Sequence, residues 1–201
     1  MLLCSNLTCS RNGRNIFEDL SFKAEKESLT IIKGDNGSGK TTLLKSLAGI
    51  IRYNSGSITW NGGTIENNEE YIRNISFIGH KSSMDGNLTV EDNLNFWAEL
   101  NNTKEAVAAA IVCFNLGRVY DMPYHKLSEG WKRKVALARL LACPKIIWLL
   151  DEPTVNLDSE GVNILVELIK SRIQQKGLVI ISTNTEIRGL PNHQEVNLKN
   201  V

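Results

Sequence analysis

The chain has 201 residues, 23 of them basic and 22 acidic, for a formal net charge of +1. That length suits one α/β domain and excludes two full nucleotide-binding domains, and the balanced charge points to neither a nucleic-acid groove nor an anionic membrane surface. Cys4, Cys9, Cys113 and Cys143 form no Cys-X-X-Cys pair, so reduced thiols in a cytoplasmic protein are expected, with no disulfide and no zinc site. The longest apolar stretches, residues 107–114 and 146–150, fall short of the about 20 residues a spanning helix needs, and the amino terminus lacks a signal-peptide pattern. Any membrane role is therefore expected to come through another chain.

Residues 1–33 alternate short apolar and polar segments, and Ser57-Ile58-Thr59-Trp60 runs into the turn Asn61-Gly62-Gly63; together these predict a small, mostly antiparallel sheet. Leu29-Thr30-Ile31-Ile32 reads as a strand and leads into Gly34-Asp35-Asn36-Gly37-Ser38-Gly39-Lys40-Thr41. Leu43, Leu44, Leu47 and Ala48 then recur at the spacing of one buried helix face. A strand, a Gly-X-X-X-X-Gly-Lys-Thr loop and a helix make a cradle for a nucleoside triphosphate. Glycines let successive N–H groups curl round phosphate oxygens, the helix directs its positive end at them, Lys40 reaches the outer phosphates and Thr41 offers a hydroxyl to magnesium. Asn67-Asn68-Glu69-Glu70 and Asn101-Asn102-Thr103 read as surface turns.

After the strand candidate Ile75-Ser76-Phe77-Ile78, residues 88–122 carry helical periodicity, and Pro123 marks the exit from a helical insertion. Helix, strand, helix and strand follow over 128–184. Ile146-Ile147-Trp148-Leu149-Leu150 has the continuous apolar character of a parallel strand covered on both faces, and it ends at Asp151-Glu152-Pro153. Two acids at the carboxyl end of such a strand suit two tasks: Asp151 would hold magnesium, and Glu152 would polarise the water that attacks the terminal phosphate.

With these features joined by Leu127-Ser128-Glu129-Gly130-Trp131-Lys132-Arg133, the chain resembles the ABC-type ATPases over essentially its whole length. The resemblance implies an α/β P-loop NTPase of ABC ATPase type, with a parallel-sheet core, a small antiparallel β subdomain and a helical subdomain inserted at about residues 80–135 of one domain spanning 1–201. It implies ATP and Mg2+ as ligands, with Thr42 joining residues 34–41 in nucleotide contact. It also implies a head-to-tail homodimer, in which Ser128 and Gly130 of the signature segment complete the partner's ATP site and Asn156-Leu157-Asp158 forms the adjoining D-loop. Ser128 also suits an ordinary helix cap.

Four positions depart from the family pattern. Glu129 and Trp131 stand where the signature usually has glycine and glutamine, which bears on the strength of dimer closure. Asn184 stands where the switch histidine is expected, and an amide hydrogen-bonds a phosphate oxygen without taking up a proton. Arg11 lies about where an aromatic stacks on adenine; its guanidinium plane can stack instead, or remain a solvated arginine.

Ile78-Gly79-His80-Lys81, with histidine where most of the family has glutamine, resembles the narrower group of ATP-binding subunits of the cytochrome c maturation haem exporter. That resemblance implies integral membrane subunits as partners, indirect involvement of haem, and a peripheral place on the cytoplasmic face of a bacterial inner membrane. His80 and Asn184 accompany Glu152 as catalytic-site candidates. Another small exporter ATPase, or an ATP-dependent dimerisation module with little hydrolysis, also fits these residues.

Overall fold

The computed structural model describes residues 1–11 and 13–198. In chain order they form β1 (Leu2–Arg11), β2 (Arg14–Ala24), β3 (Ser28–Lys33), α1 (Lys40–Leu47), β4 (Ser55–Trp60), β5 (Gly63–Thr64), α2 (Glu69–Arg73) and β6 (Ile75–Ile78). There follow α3 (Val90–Glu99), α4 (Ala106–Cys113), two short 3-10 helices, α5 (Glu129–Ala142), β7 (Ile147–Asp151), α6 (Ser159–Gln174), β8 (Leu178–Ser182) and β9 (His193–Asn197). These elements divide into two compact units.

The first unit comprises the described residues of Met1–Gly79, Ile146–Glu152 and Ile169–Val201. It holds two sheets, one antiparallel with strand order β2-β1-β4-β5 and one parallel with order β6-β7-β8-β3-β9. In β1 the buried residues are Leu2 and Cys4, then Leu7 and Cys9. Alternation slips by one between the pairs because the register shifts there and Asn6 takes a left-handed φ of 48°, so the inward face is kept across a bulge. Burial pushes the Cys4 thiol up to about 12, leaving it an inert core group.

β7 and β8 are buried at every residue, as strands covered on both faces must be. The expectation of one antiparallel sheet for residues 1–33 describes β1 and β2 but not β3. Leu29, Thr30, Ile31 and Ile32 are all buried, a two-faced burial that only the interior of the parallel sheet offers, and β3 pairs there with β8 and β9. One apolar cluster then joins Leu2 and Ile58 from the antiparallel sheet, Ile32, Leu149 and Ile180 from the parallel sheet, and Leu43, Leu44 and Leu47 from α1.

The helix α2 and the strand β9 differ from what the sequence leads one to expect. The Asn67–Glu70 region, read as a surface turn, starts α2 instead: Asn68 caps it by accepting the Tyr71 N–H, and Glu69 and Glu70 fill its first turn. β9 exposes His193, Gln194 and Glu195 and buries Val196, the pattern of a polar edge strand.

The second unit comprises His80–Lys145 and Pro153–Leu168, so α6 starts within it. Thr89 and Asp92 form a reciprocal capping box at the start of α3. Asn93, 2% exposed, accepts the Asp85 N–H at 2.8 Å and donates to the carbonyls of Asp85 and Thr89, pinning the segment that leads from His80 into the helices. The Arg139 guanidinium lies 4.4 Å from the Trp97 ring centroid, which ties α5 to α3.

Tyr71 anchors the carboxyl end of α1: its fully buried hydroxyl donates to the Leu47 carbonyl at 2.6 Å. Tyr71→Phe leaves that carbonyl buried without its donor and is expected to cost about 1–2 kcal/mol of stability with the fold intact. Urea unfolding checks this; an unchanged midpoint would mean that the bond contributes nothing net.

Candidate functional site

The turn after β3 brings its chemistry together through backbone shape. Gly37 and Gly39 take φ of 89° and 94°, and a Cβ on Gly39 would lie 2.3 Å from Ile16 Cγ2, so side chains are refused there both by conformation and by space. Gly39 caps α1, whose first residue is Lys40. Lys40 is 7% exposed, and its ammonium donates to the carbonyls of Gly34 and Asp35 at 2.7 and 3.0 Å, with Glu152 Oε1 at 3.9 Å. The cation is thereby held at the loop mouth rather than swinging free. Thr42, in the same first turn, is half-buried and gives its carbonyl to Ser46 Oγ.

Across the sheet, β7 ends at Asp151, 4% exposed. Its Oδ2 accepts the Thr41 hydroxyl at 2.8 Å and its Oδ1 accepts the Ser182 hydroxyl at 2.5 Å. Glu152 follows with φ of 45°, an uncommon conformation for a residue with a side chain, fixed by its N–H donating to the Ser182 carbonyl at 2.9 Å. Asn184, exposed just past β8, donates its amide to Asn36 Oδ1 at 3.1 Å. Lys40, Thr41, Asp151, Glu152, Asn36 and Asn184 thus share one unit.

The site fits a magnesium triphosphate on its own chemistry. Ser38 Oγ is buried, 1% exposed, with no partner among the described residues, while a Cβ on Gly37 would meet nothing within 4 Å. The loop therefore combines an unsatisfied hydroxyl with open space, a lysine and the positive end of a helix. A hydroxyl and a carboxylate that already share a hydrogen bond, Thr41 and Asp151, form the hard oxygen donor pair that magnesium prefers. Among the described residues no group of three or more His, Cys, Asp or Glu gathers as a protein-only metal centre.

Arg11 is exposed at the end of β1, opposite Arg14 in the hairpin register. In the second unit, Ser128 caps α5, its Oγ accepting the Trp131 N–H at 3.4 Å. A Cβ on Gly130 would approach the Asn156 carbonyl to 3.1 Å, so the signature segment and the loop before α6 pack closely. Asp158 accepts the Gly161 N–H at 2.8 Å and pairs with Lys134 at 2.7 Å, and these contacts hold its carboxyl below the usual carboxylate range. His80 is exposed at the start of this unit.

Sequence reasoning missed Ser182, Asn36 as a partner of Asn184, and Lys134. Asp151 and Ser182 become neighbours only through the β7–β8 register. Lys134 carried little signal: six residues beyond Ser128 it lies about 120° round α5 from that cap, and its pairing with Asp158 exists only in the folded chain.

The ABC transporter family matches residues 17–155. The chain is 44% identical to the cytochrome c biogenesis ATP-binding export protein CcmA of Wolbachia pipientis wMel, over 100% of this chain and 97% of that protein. It is 38% identical to the protein of the same name in Paramagnetospirillum magneticum, covering 96% and 91%. Among solved structures, a Pyrococcus furiosus protein described as an ABC transporter ATP-binding protein superposes with a TM-score of 0.83 at 27% identity, covering 98% and 96%. A dimeric ATP-binding cassette in a post-hydrolysis state with ADP and Pi gives 0.85 at 20% identity, covering 99% and 94%, and speaks for the fold. The chain therefore belongs to the ABC transporter family, within its group of cytochrome c biogenesis ATP-binding export proteins.

Proposed function

We propose that this chain is the ATP-hydrolysing subunit of the haem exporter of cytochrome c maturation, working as a homodimer bound to separate integral membrane subunits at the cytoplasmic face of a bacterial inner membrane. The observation that carries the reading is the convergence of Lys40, Thr41, Asp151 and Glu152 at one loop mouth. The relatives named for cytochrome c biogenesis and export supply the biological setting. No helix among the described residues is long and apolar enough to cross a membrane, which agrees with work done through partner chains.

Residues 34–42 bind the triphosphate: backbone N–H groups and the α1 terminus meet its oxygens, and Lys40 trades its two carbonyl contacts for the outer phosphates. Thr41 and Asp151 would hold magnesium, which neutralises phosphate charge. Glu152 orients the attacking water and accepts its proton. Its left-handed backbone is held by the N–H contacts to the Ser182 carbonyl and hydroxyl, and its carboxylate faces Lys40 at 3.9 Å. Asn184 donates to a phosphate oxygen and stays neutral. Ser128 and Gly130, at the positive end of α5, meet the phosphates bound by the partner, so ATP draws two chains together and hydrolysis releases them. His80 opens the loop that transmits this motion to the membrane subunits, and haem is involved indirectly, with no need to touch this chain.

Glu152→Gln is expected to keep ATP binding and lower phosphate release by at least about 100-fold, leaving an ATP-bound dimer visible by size-exclusion chromatography. Retention of most turnover would remove Glu152 from the base role. Because asparagine does not titrate, residue 184 of the natural chain contributes no inflection to the pH dependence of turnover. Asn184→His should introduce one at about 6.5, activity changing as the imidazole charges. Identical pH profiles for the two proteins would place residue 184 outside the phosphate contact.

A further inference from the structure

Arg11 and Trp131 are departures that the hydrolytic mechanism leaves unused, and the second unit contains a cavity that bears on both. It has a volume of about 630 Å³ and is walled by Val112, Asn115, Arg118, Trp131, Lys134 and Glu160, among others. That is room for a base and its ribose. The walls are braced: Lys134, pinned by Asp158 at 2.7 Å, sits 5.1 Å from the Trp131 ring centroid, and Asn115 donates to Glu160 Oε1 at 2.9 Å. Trp131 lies one turn beyond Ser128, whose Oγ accepts its N–H, and Lys134 lies one turn further on, so the first turns of α5 lead from the capped amino terminus to the cavity wall.

We propose that this cavity receives the nucleoside end of the ATP whose phosphates lie on the partner's loop, with Trp131 as the aromatic platform for the adenine. The inference rests on the head-to-tail reading above. In that arrangement Ser128 meets the terminal phosphates, and the rest of the nucleotide must extend away from that point. The hairpin beside the phosphate loop offers exposed Arg11 and Arg14 where a flat apolar ring would serve stacking. An indole backed by a lysine, beside a carboxylate able to accept ribose hydroxyls and an arginine able to stack, has the chemistry of a nucleoside site. Each nucleotide would then be held by its phosphates in one chain and by its base in the other, and Trp131 would select ATP over its bare phosphate tail.

The test uses the Glu152→Gln protein and measures the nucleotide concentration that drives dimer formation, with ATP and with inorganic tripolyphosphate as probes. Trp131→Ala in that background should raise the ATP requirement roughly tenfold, leave the tripolyphosphate requirement unchanged, and be rescued by Trp131→Phe. An unchanged ATP requirement, or an equal rise with both probes, overturns the platform while leaving the dimer reading intact. If the Glu152→Gln protein with Trp131 intact forms no dimer with ATP, the head-to-tail reading falls and the platform falls with it.

Discussion

The arrangement turns on one buried carboxylate. Asp151 closes a strand whose other residues are all buried, and an anion in such surroundings is costly unless its oxygens are satisfied. Thr41 and Ser182 satisfy them, one from α1 and the other from β8. Meeting this single demand therefore fixes the register of β7 against β8 and seats the phosphate-loop helix over the strand ends. Slipping β7 by one residue would turn Asp151 to the opposite face and break both bonds, and slipping β8 would break the one to Ser182. The same Ser182 also receives the Glu152 N–H through its carbonyl, so the two acids are set by one neighbour.

From that constraint the rest follows in layers. Lys40 is the next residue along from Thr41 and is drawn to the loop carbonyls and to Glu152, placing a cation beside the acid pair. Of the two glycines just ahead of Lys40, Gly37 faces free space where a ligand can approach, and Gly39 packs so close to Ile16 that no side chain fits. The second unit shows a similar economy. Asp158 caps α6 and holds Lys134, and Lys134 in turn lies over Trp131 near the capped end of α5.

Much of this was legible in the amino-acid sequence where burial is two-sided or a helix start is chemically marked. The apolar runs of β7 and β8, the phosphate loop and the Ser128 cap announce themselves locally. β9 did not, because its exposed His193, Gln194 and Glu195 give an edge strand no apolar signature. The Asn68 start of α2 was readable as a cap with two acids behind it, but a helix of five residues leaves too short a periodic pattern. β3 was legible as a strand, yet its sheet was not, since partner choice depends on non-local pairing. Contacts such as Asp151 with Ser182 and Asn36 with Asn184 join residues more than 30 and more than 140 positions apart and exist only in the folded chain.

The central claim is that each hydrolytic site is built from two chains, Lys40 from one and Ser128 from the other. Mixing Lys40→Ala protein with Ser128→Arg protein tests it most directly, with phosphate release measured for each alone and for the mixture. Both variants alone should be inactive, and an equal mixture should recover about a quarter of natural activity, since half the dimers are mixed and each of those has one intact site. A mixture as inactive as its components, or a Ser128→Arg protein that hydrolyses ATP by itself, would contradict the composite site.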